Sequence, residues 1–130
     1  MKEKILTRKR IYLRDTDATG VLYFTEQQRM ALEVLEERLS LCTLLEKENF
    51  LMPIVHVEAD YKAPLKVGDV VDISCEVVHL GTTSLTFAYT FFAADVEVGS
   101  VKIVHVTVDR TTLAPIPLPQ RIFLLAKTLS

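Results

Sequence analysis

Two carboxylates lie shortly before an aromatic pair and the start of the longest helical pattern in the chain. Asp15 and Asp17 are separated by one threonine, and Gly20 and Tyr23-Phe24 follow. The start of a helix presents unpaired backbone N–H groups and a partial positive charge, so it can hold an oxyanion while a nearby carboxylate acts on a carbonyl. Residues of these types in this order predict acyl-transfer chemistry.

Each of these side chains also has a structural interpretation. Asp17 could be a turn former or an N-cap, because aspartate favours both positions. Asp15 could carry a solvated charge, or it could raise the pKa of Asp17 through like-charge repulsion. Tyr23 could pack at the corner between strand and helix rather than line an acyl pocket. From residue types alone, the turn or capping role is the commoner one for Asp17.

Composition limits the remaining function classes. A chain of 130 residues, 49% of them hydrophobic and 25% charged, predicts one domain over residues 1–130 with a real core. The net charge of −2 gives no global reason to bind nucleic acid. Cys42 and Cys75 form neither a CxxC pair nor a metal-binding cluster, and two reduced core thiols fit a cytoplasmic protein. The charged N-terminus lacks the apolar run of a signal peptide, and no segment approaches the ~20 apolar residues of a membrane span.

The segment after Phe24 changes to a helical period. Thr25 and Gln28 match a capping box, so a helix of about four turns should start at Thr25. A shorter helical piece over residues 44–47 should follow. The expected helix has an apolar stripe and an opposing charged face, formed respectively by Met30, Ala31, Val34, Leu35 and Leu39, and by Arg29, Glu33, Glu36 and Glu37.

A period of two dominates the rest of the chain and predicts a β-sheet. Strands are expected over residues 5–13, 55–63, 70–80, 84–94 and 98–109, with the last three in an antiparallel meander. In the strand at 55–63 the valines share one face, and His56, Glu58, Asp60 and Lys62 share the other. Leu85, Phe87, Tyr89 and Phe91 form an apolar face that only the long helix can cover. Three prolines between 115 and 119 should end the sheet before a short helix over 120–127.

This order of elements, together with residues 15–24, resembles the hotdog-fold acyl-CoA thioesterases of the 4-hydroxybenzoyl-CoA thioesterase type. Segments 53–58, 64–69, 80–85, 108–110 and 117–119 extend the similarity over nearly the whole chain. The resemblance implies an α+β hotdog fold, in which an antiparallel sheet of five or so strands wraps one long helix. It also implies that Asp17 is the nucleophile or general base, and that backbone N–H groups around Tyr23 and Phe24 polarise the thioester carbonyl.

The chain is more similar to one branch of that family than to others. Many bacterial members follow the tyrosine with His-Ala-Asn-Tyr, whereas this chain continues Phe24-Thr25-Glu26-Gln27, so a role of that histidine is absent here. Tyr23-Phe24 with Pro53-Ile54-Val55-His56 resembles the branch that hydrolyses 1,4-dihydroxy-2-naphthoyl-CoA. The resemblance therefore makes an aromatic acyl-CoA the first candidate substrate.

Other polar residues are candidates for substrate contact. His56 beside Glu58 would suit pocket contact or proton transfer, although a hydrogen-bonded structural histidine is commoner. Lys62 and Arg110 could meet the phosphates of coenzyme A, although surface cations are usually just solvated. His79, His105 and Cys42 have no motif partner, so they are interpreted as structural.

The expected protein is an acyl-CoA thioesterase that releases a free acid and coenzyme A, with no cofactor and no metal, since coenzyme A is part of the substrate. In the family the active sites lie between subunits, so a homodimer, and more specifically a homotetramer, is expected. Asp17 would then act beside His56 or Glu58 of either chain. The site residues are Asp17, Tyr23 and Phe24 for catalysis and Asp15, Gly20, His56, Glu58, Lys62 and Arg110 for substrate binding.

Two other classes of function remain open. One is a thioesterase for short- or medium-chain aliphatic acyl-CoA. The other is a hotdog protein that binds an acyl ligand without turnover, or that serves mainly in assembly, because fold does not guarantee activity and sheet edges need pairing or cover. Neither nucleic acid nor a membrane is an expected partner.

Overall fold

The computed structural model describes residues 5–129, except for the side chains of residues 5, 6, 39 and 41–43. The predictions that place Leu39 in the apolar stripe and read Cys42 as a structural thiol lie outside the described residues. The elements are β1 (Ile5–Arg10), α1 (Glu26–Leu39), α2 (Leu41–Lys47), β2 (Phe50–Leu51), β3 (Ile54–Tyr61), β4 (Val70–Leu80), β5 (Ser84–Ala93), β6 (Val96–Val106), β7 (Val108–Asp109) and α3 (Gln120–Lys127).

The main sheet has five antiparallel strands in the order β1-β4-β5-β6-β3. The meander β4-β5-β6 and the α+β class agree with the prediction. β1 ends at Arg10 instead of residue 13, because Leu13–Asp15 turn into a short 3-10 helix. The expected strand over 98–109 divides at Thr107 into β6 and β7, and β7 pairs with β2 in a separate two-stranded ribbon.

The core lies between the sheet and α1. Leu85, Phe87, Tyr89 and Phe91 are buried on the face of β5 toward the helix, as their alternation predicts. They belong to one apolar cluster with four residues of α1, namely Met30, Ala31, Val34 and Leu35. Burial of each large apolar side chain stabilises the fold by about 1.5–3 kcal/mol, which fixes the helix on the sheet.

The start of α1 is pinned to the sheet by one buried amide. Gln27 is 1% exposed, and its Nε2 donates to the carbonyls of Asp60 on β3 at 3.1 Å and Ser100 on β6 at 3.2 Å. Gly99 leaves room for this side chain, since a Cβ there would lie 2.3 Å from Gln27 Oε1. The first turn of α1 is thereby held against the ends of two neighbouring strands.

β3 forms one edge of the sheet, and most of its side chains are exposed. Its predicted alternation is present in the register, where Val57 and Ala59 lie opposite the buried Ile103 and Val101. Even so, Val57 is 42% exposed, because α1 does not cover this edge. An edge strand with apolar side chains and unpaired backbone groups invites a further strand.

Two polar groups of the core are held in their neutral forms. Cys75 is a buried free cysteine, and burial raises its pKa to about 12, which agrees with the prediction of a reduced core thiol. His105 is buried, with Nδ1 3.0 Å from the Met52 carbonyl, and burial lowers its pKa. Neither group lines the cavity described below.

Candidate active site

A tight hairpin presents Asp17 just ahead of α1. Thr16 pairs with Leu22, the Asp17 N–H donates to the Val21 carbonyl, and the Gly20 N–H donates to the Asp17 carbonyl. Gly20 has a φ of 82°, the left-handed conformation that ends a three-residue hairpin loop and that glycine adopts without strain. Gly20 therefore shapes the turn.

The Asp17 carboxylate accepts two hydrogen bonds within that turn. Thr19 donates to Asp17 Oδ1 from its backbone N–H at 2.8 Å and from its hydroxyl at 2.5 Å. These bonds, the hydroxyl's foremost, hold the pKa of the Asp17 carboxyl below its usual value. The turn-forming role considered for Asp17 is thus present. Both bonds fall on Oδ1, so Oδ2 of an ionised group is left for a further partner.

The backbone after the hairpin leaves the Phe24 N–H unpaired just before α1. The Tyr23 N–H donates to the Asp15 carbonyl at 2.9 Å, and the Tyr23 carbonyl accepts from the Glu26 N–H at 2.9 Å. Phe24 N–H has no acceptor within the described part of the chain. Of the two N–H groups expected to polarise a carbonyl, the one of Tyr23 is already occupied, and the one of Phe24 is available.

The expected capping box at Thr25 is wrong. Thr25 is the N-cap, but its side chain makes no capping hydrogen bond, because its φ of −80° and ψ of −16° are already helical. A capping side chain accepts from the N–H two or three residues ahead, and it does so from a residue in the extended conformation. When the Gln28 amide is assigned the orientation that satisfies its hydrogen bonds, Nε2 donates to the Phe24 and Thr25 carbonyls, at 2.6 and 3.3 Å. The side-chain bonds of Gln28 therefore go to carbonyls and not to the unpaired N–H groups of the helix start.

A cavity of about 380 Å³ joins these groups to the end of β3. Tyr23 and Phe24, which are 45% and 57% exposed, have ring centroids 4.9 Å apart. Such exposed aromatic rings offer faces and edges to a bound ring. The lining residues are Asp17, Val21, Leu22, Tyr23, Phe24, Gln27, Tyr61, Lys62, Ala63, Pro64 and Leu65.

Lys62 adds a positive charge to the lining. Its ammonium is paired with Glu97, which raises the Lys62 pKa. The two side chains are 56% and 37% exposed, and exposed pairs contribute only about 0–1 kcal/mol. Lys62 can therefore exchange Glu97 for another anion at little cost.

Asp15, expected to be a solvated or substrate-binding acid, is buried and lies outside the lining. Its Oδ2 accepts from the Tyr12 N–H at 2.8 Å, and its Oδ1 accepts from Arg29 Nη2 at 3.1 Å. The chain, expected to be a strand as far as residue 13, forms a 3-10 helix over Leu13–Asp15, and the Asp15 side chain is buried there. The expectation of a solvated charge is wrong, and the contacts give Asp15 a structural role.

His56 and Glu58 also lie away from the cavity. They are opposite Val104 and Lys102 of β6, whereas Val57 is opposite the core residue Ile103. Residues directly opposite share a face of the sheet, so His56 and Glu58 point to the side away from α1. They contact each other, with His56 Nε2 3.0 Å from Glu58 Oε1.

Arg110 lies outside the lining as well. Its guanidinium donates to the carbonyls of Leu45 and Glu48 and so holds the end of α2. Of the nine proposed site residues, the structure brings Asp17, Tyr23, Phe24 and Lys62 to one cavity.

Sequence reasoning missed Gln27, Tyr61 and Glu97. Gln27 lies at the start of the apolar stripe of α1, and Tyr61 falls on the apolar parity of its strand. The sequence did contain a signal for Gln27, because a polar residue inside an apolar helical stripe indicates a buried side chain with hydrogen-bond partners. Nothing local marks Tyr61, since its partner Phe24 is 37 residues away.

No metal site or membrane helix is evident in the described part of the chain. Among the described side chains, no three His, Cys, Asp or Glu residues gather closely enough to hold a metal ion. No described helix is long and apolar enough to cross a membrane.

Comparison with known proteins places this geometry in a family. The family model described as the thioesterase-like superfamily matches residues 11–124. A 1,4-dihydroxy-2-naphthoyl-CoA hydrolase of Prochlorococcus marinus (strain NATL2A) is 29% identical over 123 aligned positions, covering 85% of this chain and 79% of the relative. A protein of the same name from Microcystis aeruginosa is 32% identical over 115 positions, covering 85% and 83%.

A solved structure gives the same result for the fold. The crystal structure of a 1,4-dihydroxy-2-naphthoyl-CoA thioesterase from Synechocystis superposes with a TM-score of 0.87 at 25% identity, covering 96% of each chain. The five-stranded sheet around α1 is therefore the hotdog fold, and the resemblance inferred from residues 15–24 is confirmed. The chain belongs to the thioesterase-like superfamily, and relatives that match most of its length are named as thioester hydrolases.

Proposed function

We propose that the protein hydrolyses an acyl-CoA thioester to a free acid and coenzyme A, with Asp17 as the reacting carboxylate. The observation that carries the proposal is that Asp17 and Phe24, whose N–H is unpaired, line one cavity; the bonds from Thr19 lower the pKa of the Asp17 carboxyl and so favour its ionised form. A thioester carbonyl is reactive enough for one carboxylate to suffice. The relatives named as thioester hydrolases support the reaction type.

The chemistry follows from these two groups. The Phe24 N–H donates to the thioester oxygen as negative charge develops on it. Asp17 Oδ2 either attacks the carbonyl carbon directly or removes a proton from a water that attacks. In the first route the C–S bond breaks to give the coenzyme A thiolate and a mixed anhydride, which water then hydrolyses. In the second route the acid and the thiol form in one addition–elimination sequence. Both routes consume one water.

An aromatic acyl group is the first candidate substrate, and 1,4-dihydroxy-2-naphthoyl-CoA is its leading example. The rings of Tyr23, Phe24 and Tyr61 line the cavity, and aromatic pairs gain about 0.5–1.5 kcal/mol beyond their buried area. The proteins named for this activity in Prochlorococcus and Microcystis support the choice. Lys62 is proposed to leave Glu97 and contact a phosphate of coenzyme A.

A free-thiol release assay over aromatic and aliphatic acyl-CoAs tests the function and the substrate class together. We expect the highest kcat/KM with an aromatic acyl group, by about tenfold or more over aliphatic chains of six carbons or fewer. A preference for short or medium aliphatic chains would replace the aromatic proposal with the aliphatic one. Tight acyl-CoA binding without any thiol release would point to a ligand-binding protein.

We also propose that the active unit is at least a homodimer, with a homotetramer as the fuller assembly. β3 is an edge strand whose exposed apolar residues include Ile54, Val55, Val57 and Tyr61, at 41–58% exposure. A second copy pairing along β3 would cover them and satisfy the open backbone groups. The cavity lining reaches Tyr61 at the end of this strand, so the partner would lie near the site.

Val57→Lys is expected to shift the protein toward the mass of one chain in gel filtration with light scattering, because two like charges would meet near the two-fold axis. Val96→Lys is the matched control, since Val96 is 62% exposed but belongs to the β5–β6 hairpin. The control should keep the wild-type mass. A wild-type protein that already runs as one chain at micromolar concentration would contradict the dimer.

A further inference from the structure

The carbonyl of Phe24 is held by two side chains. The Tyr61 hydroxyl, at the last residue of β3, donates to the Phe24 oxygen at 2.5 Å. The Gln28 amide, in the orientation that satisfies its bonds, has Nε2 2.6 Å from the same oxygen and Oε1 3.2 Å from the Tyr61 hydroxyl. We call the Tyr61 hydroxyl, the Gln28 amide and the Phe24 carbonyl the Phe24 clamp.

The clamp acts on the residue that carries the free N–H. On one side of Phe24, the peptide plane is held by the bond that the Tyr23 carbonyl accepts from the Glu26 N–H. On the other side, the plane joins the Phe24 carbonyl to the Thr25 N–H, which has no acceptor among the described residues, so the clamp bonds to the carbonyl hold it. The Phe24 N–H lies in the first of these planes, with the Tyr23 carbonyl, and that plane meets the second one at the Phe24 Cα. Holding the second plane therefore fixes the far end of the plane that carries the N–H. Without the clamp, only one of the two planes would remain held.

The rest of the surroundings give no substitute for Tyr61. Phe24 is 57% exposed and lies at an open cavity, so packing holds it weakly. Gln27 anchors the next turn to β3 and β6 but donates to Asp60 and Ser100, not to Phe24. The hydroxyl of Tyr61 is thus the bond that ties residue 24 to the sheet.

We propose that Tyr61 is a positioning residue: its hydroxyl, with Gln28, holds the Phe24 carbonyl so that the Phe24 N–H stays directed at a substrate carbonyl. The inference rests on the proposed function of the site, in which that N–H binds the thioester oxygen. It assigns Tyr61 a role beyond lining the acyl pocket, and the role belongs to the hydroxyl rather than to the ring.

The decisive experiment compares two non-hydrolysable ligands that differ only at the carbonyl. S-phenacyl-CoA carries a ketone, and S-(2-phenylethyl)-CoA has a methylene in its place. By calorimetric titration the wild type should prefer the ketone by about three- to tenfold, the value of one added hydrogen bond. Tyr61→Phe keeps the ring, so it should bring that ratio close to one while changing the affinity for the phenylethyl ligand less than twofold. Tyr12→Phe, at an exposed tyrosine outside the lining, is the control and should keep the wild-type ratio.

Further readouts separate the clamp from a general structural effect. In turnover, Tyr61→Phe should lower kcat about fivefold or more with KM within twofold of wild type, and Gln28→Ala should change the ligand ratio in the same direction. Equal loss of affinity for both ligands, or a ratio that survives Tyr61→Phe, would overturn the inference. A wild type that prefers the ketone but releases no thiol would contradict the hydrolase proposal and leave the clamp standing. A wild type without that preference would overturn the clamp.

Discussion

Asp17→Asn is expected to lower kcat by about 10²- to 10⁴-fold while leaving the fold intact. Asparagine has nearly the same shape, and its amide oxygen can still accept the bond that the Thr19 N–H makes to Oδ1. It cannot attack a thioester or take a proton from water. Stopped assays of thiol release with the preferred acyl-CoA measure kcat. Thermal unfolding shows whether the fold is intact. If the variant keeps most of its activity, the proposed mechanism is wrong.

The pH dependence adds an independent check on the same carboxylate. The hydrogen bonds from Thr19 lower the Asp17 pKa, so the ionised form is already dominant at pH 5. Activity that depends on ionised Asp17 should therefore stay nearly constant from pH 7 to pH 5 and fall only as the pH drops through the lowered pKa, below the usual value of 3.8. Thr19→Val removes the hydroxyl that contributes most, and it should move the acidic limb to higher pH.

Asp15→Asn is expected to destabilise the protein by about 2–4 kcal/mol, which is a larger loss of stability than we expect for Asp17→Asn. Each oxygen of Asp15 accepts from a different donor, one from the Tyr12 N–H and the other from Arg29. Asparagine must therefore turn its NH₂ toward one of these donors inside a site that is 1% exposed. Arg29 is itself 39% exposed and can regain water, so the loss should fall short of that of a fully buried pair.

Urea unfolding of the wild type and the variant measures this effect. Asp72→Asn is the matched control, since Asp72 pairs with the exposed Arg8 and its loss should cost about 0–1 kcal/mol. If Asp15→Asn instead unfolds like the wild type but loses thioester hydrolysis, then Asp15 and not Asp17 is the reacting acid. The two asparagine variants together therefore separate a catalytic acid from a structural one only two residues away.

Most of the fold could be predicted from residue periodicity. The alternation in β4, β5 and β6 identifies strands because one face of each must be buried, and the stripe from Met30 to Leu35 identifies the helix that covers them. The errors fall where local bonding overrides periodicity. β1 stops early because Asp15 draws the chain into a 3-10 turn, and the strand at 98–109 breaks at Thr107, whose hydroxyl donates to the Ile116 carbonyl at 2.7 Å.

The residues of the candidate site form two groups, according to whether they lie close together or far apart in the sequence. Asp17, Tyr23 and Phe24 come together because one hairpin and one helix start connect them within a single short segment. Tyr61 and Gln27 join them only through the pairing of β3 with β6 and the docking of α1 on that pair. Parity placed His56 and Glu58 on a polar face, but it could not show that this face points away from α1, because that depends on the register of two strands far apart in the chain.

The sequence by itself determined that an acid, a glycine turn and an aromatic pair precede one long helix in a hotdog order, because turn chemistry and hydrophobic period are local properties of the chain. Only the tertiary structure decided which acid is buried, whether the Phe24 N–H is left unpaired, and which distant tyrosine bonds the Phe24 carbonyl. Those outcomes depend on competition among donors and acceptors brought together by folding. The acid near a helix start thereby becomes two residues with separate roles, Asp15 beneath the turn and Asp17 at the cavity.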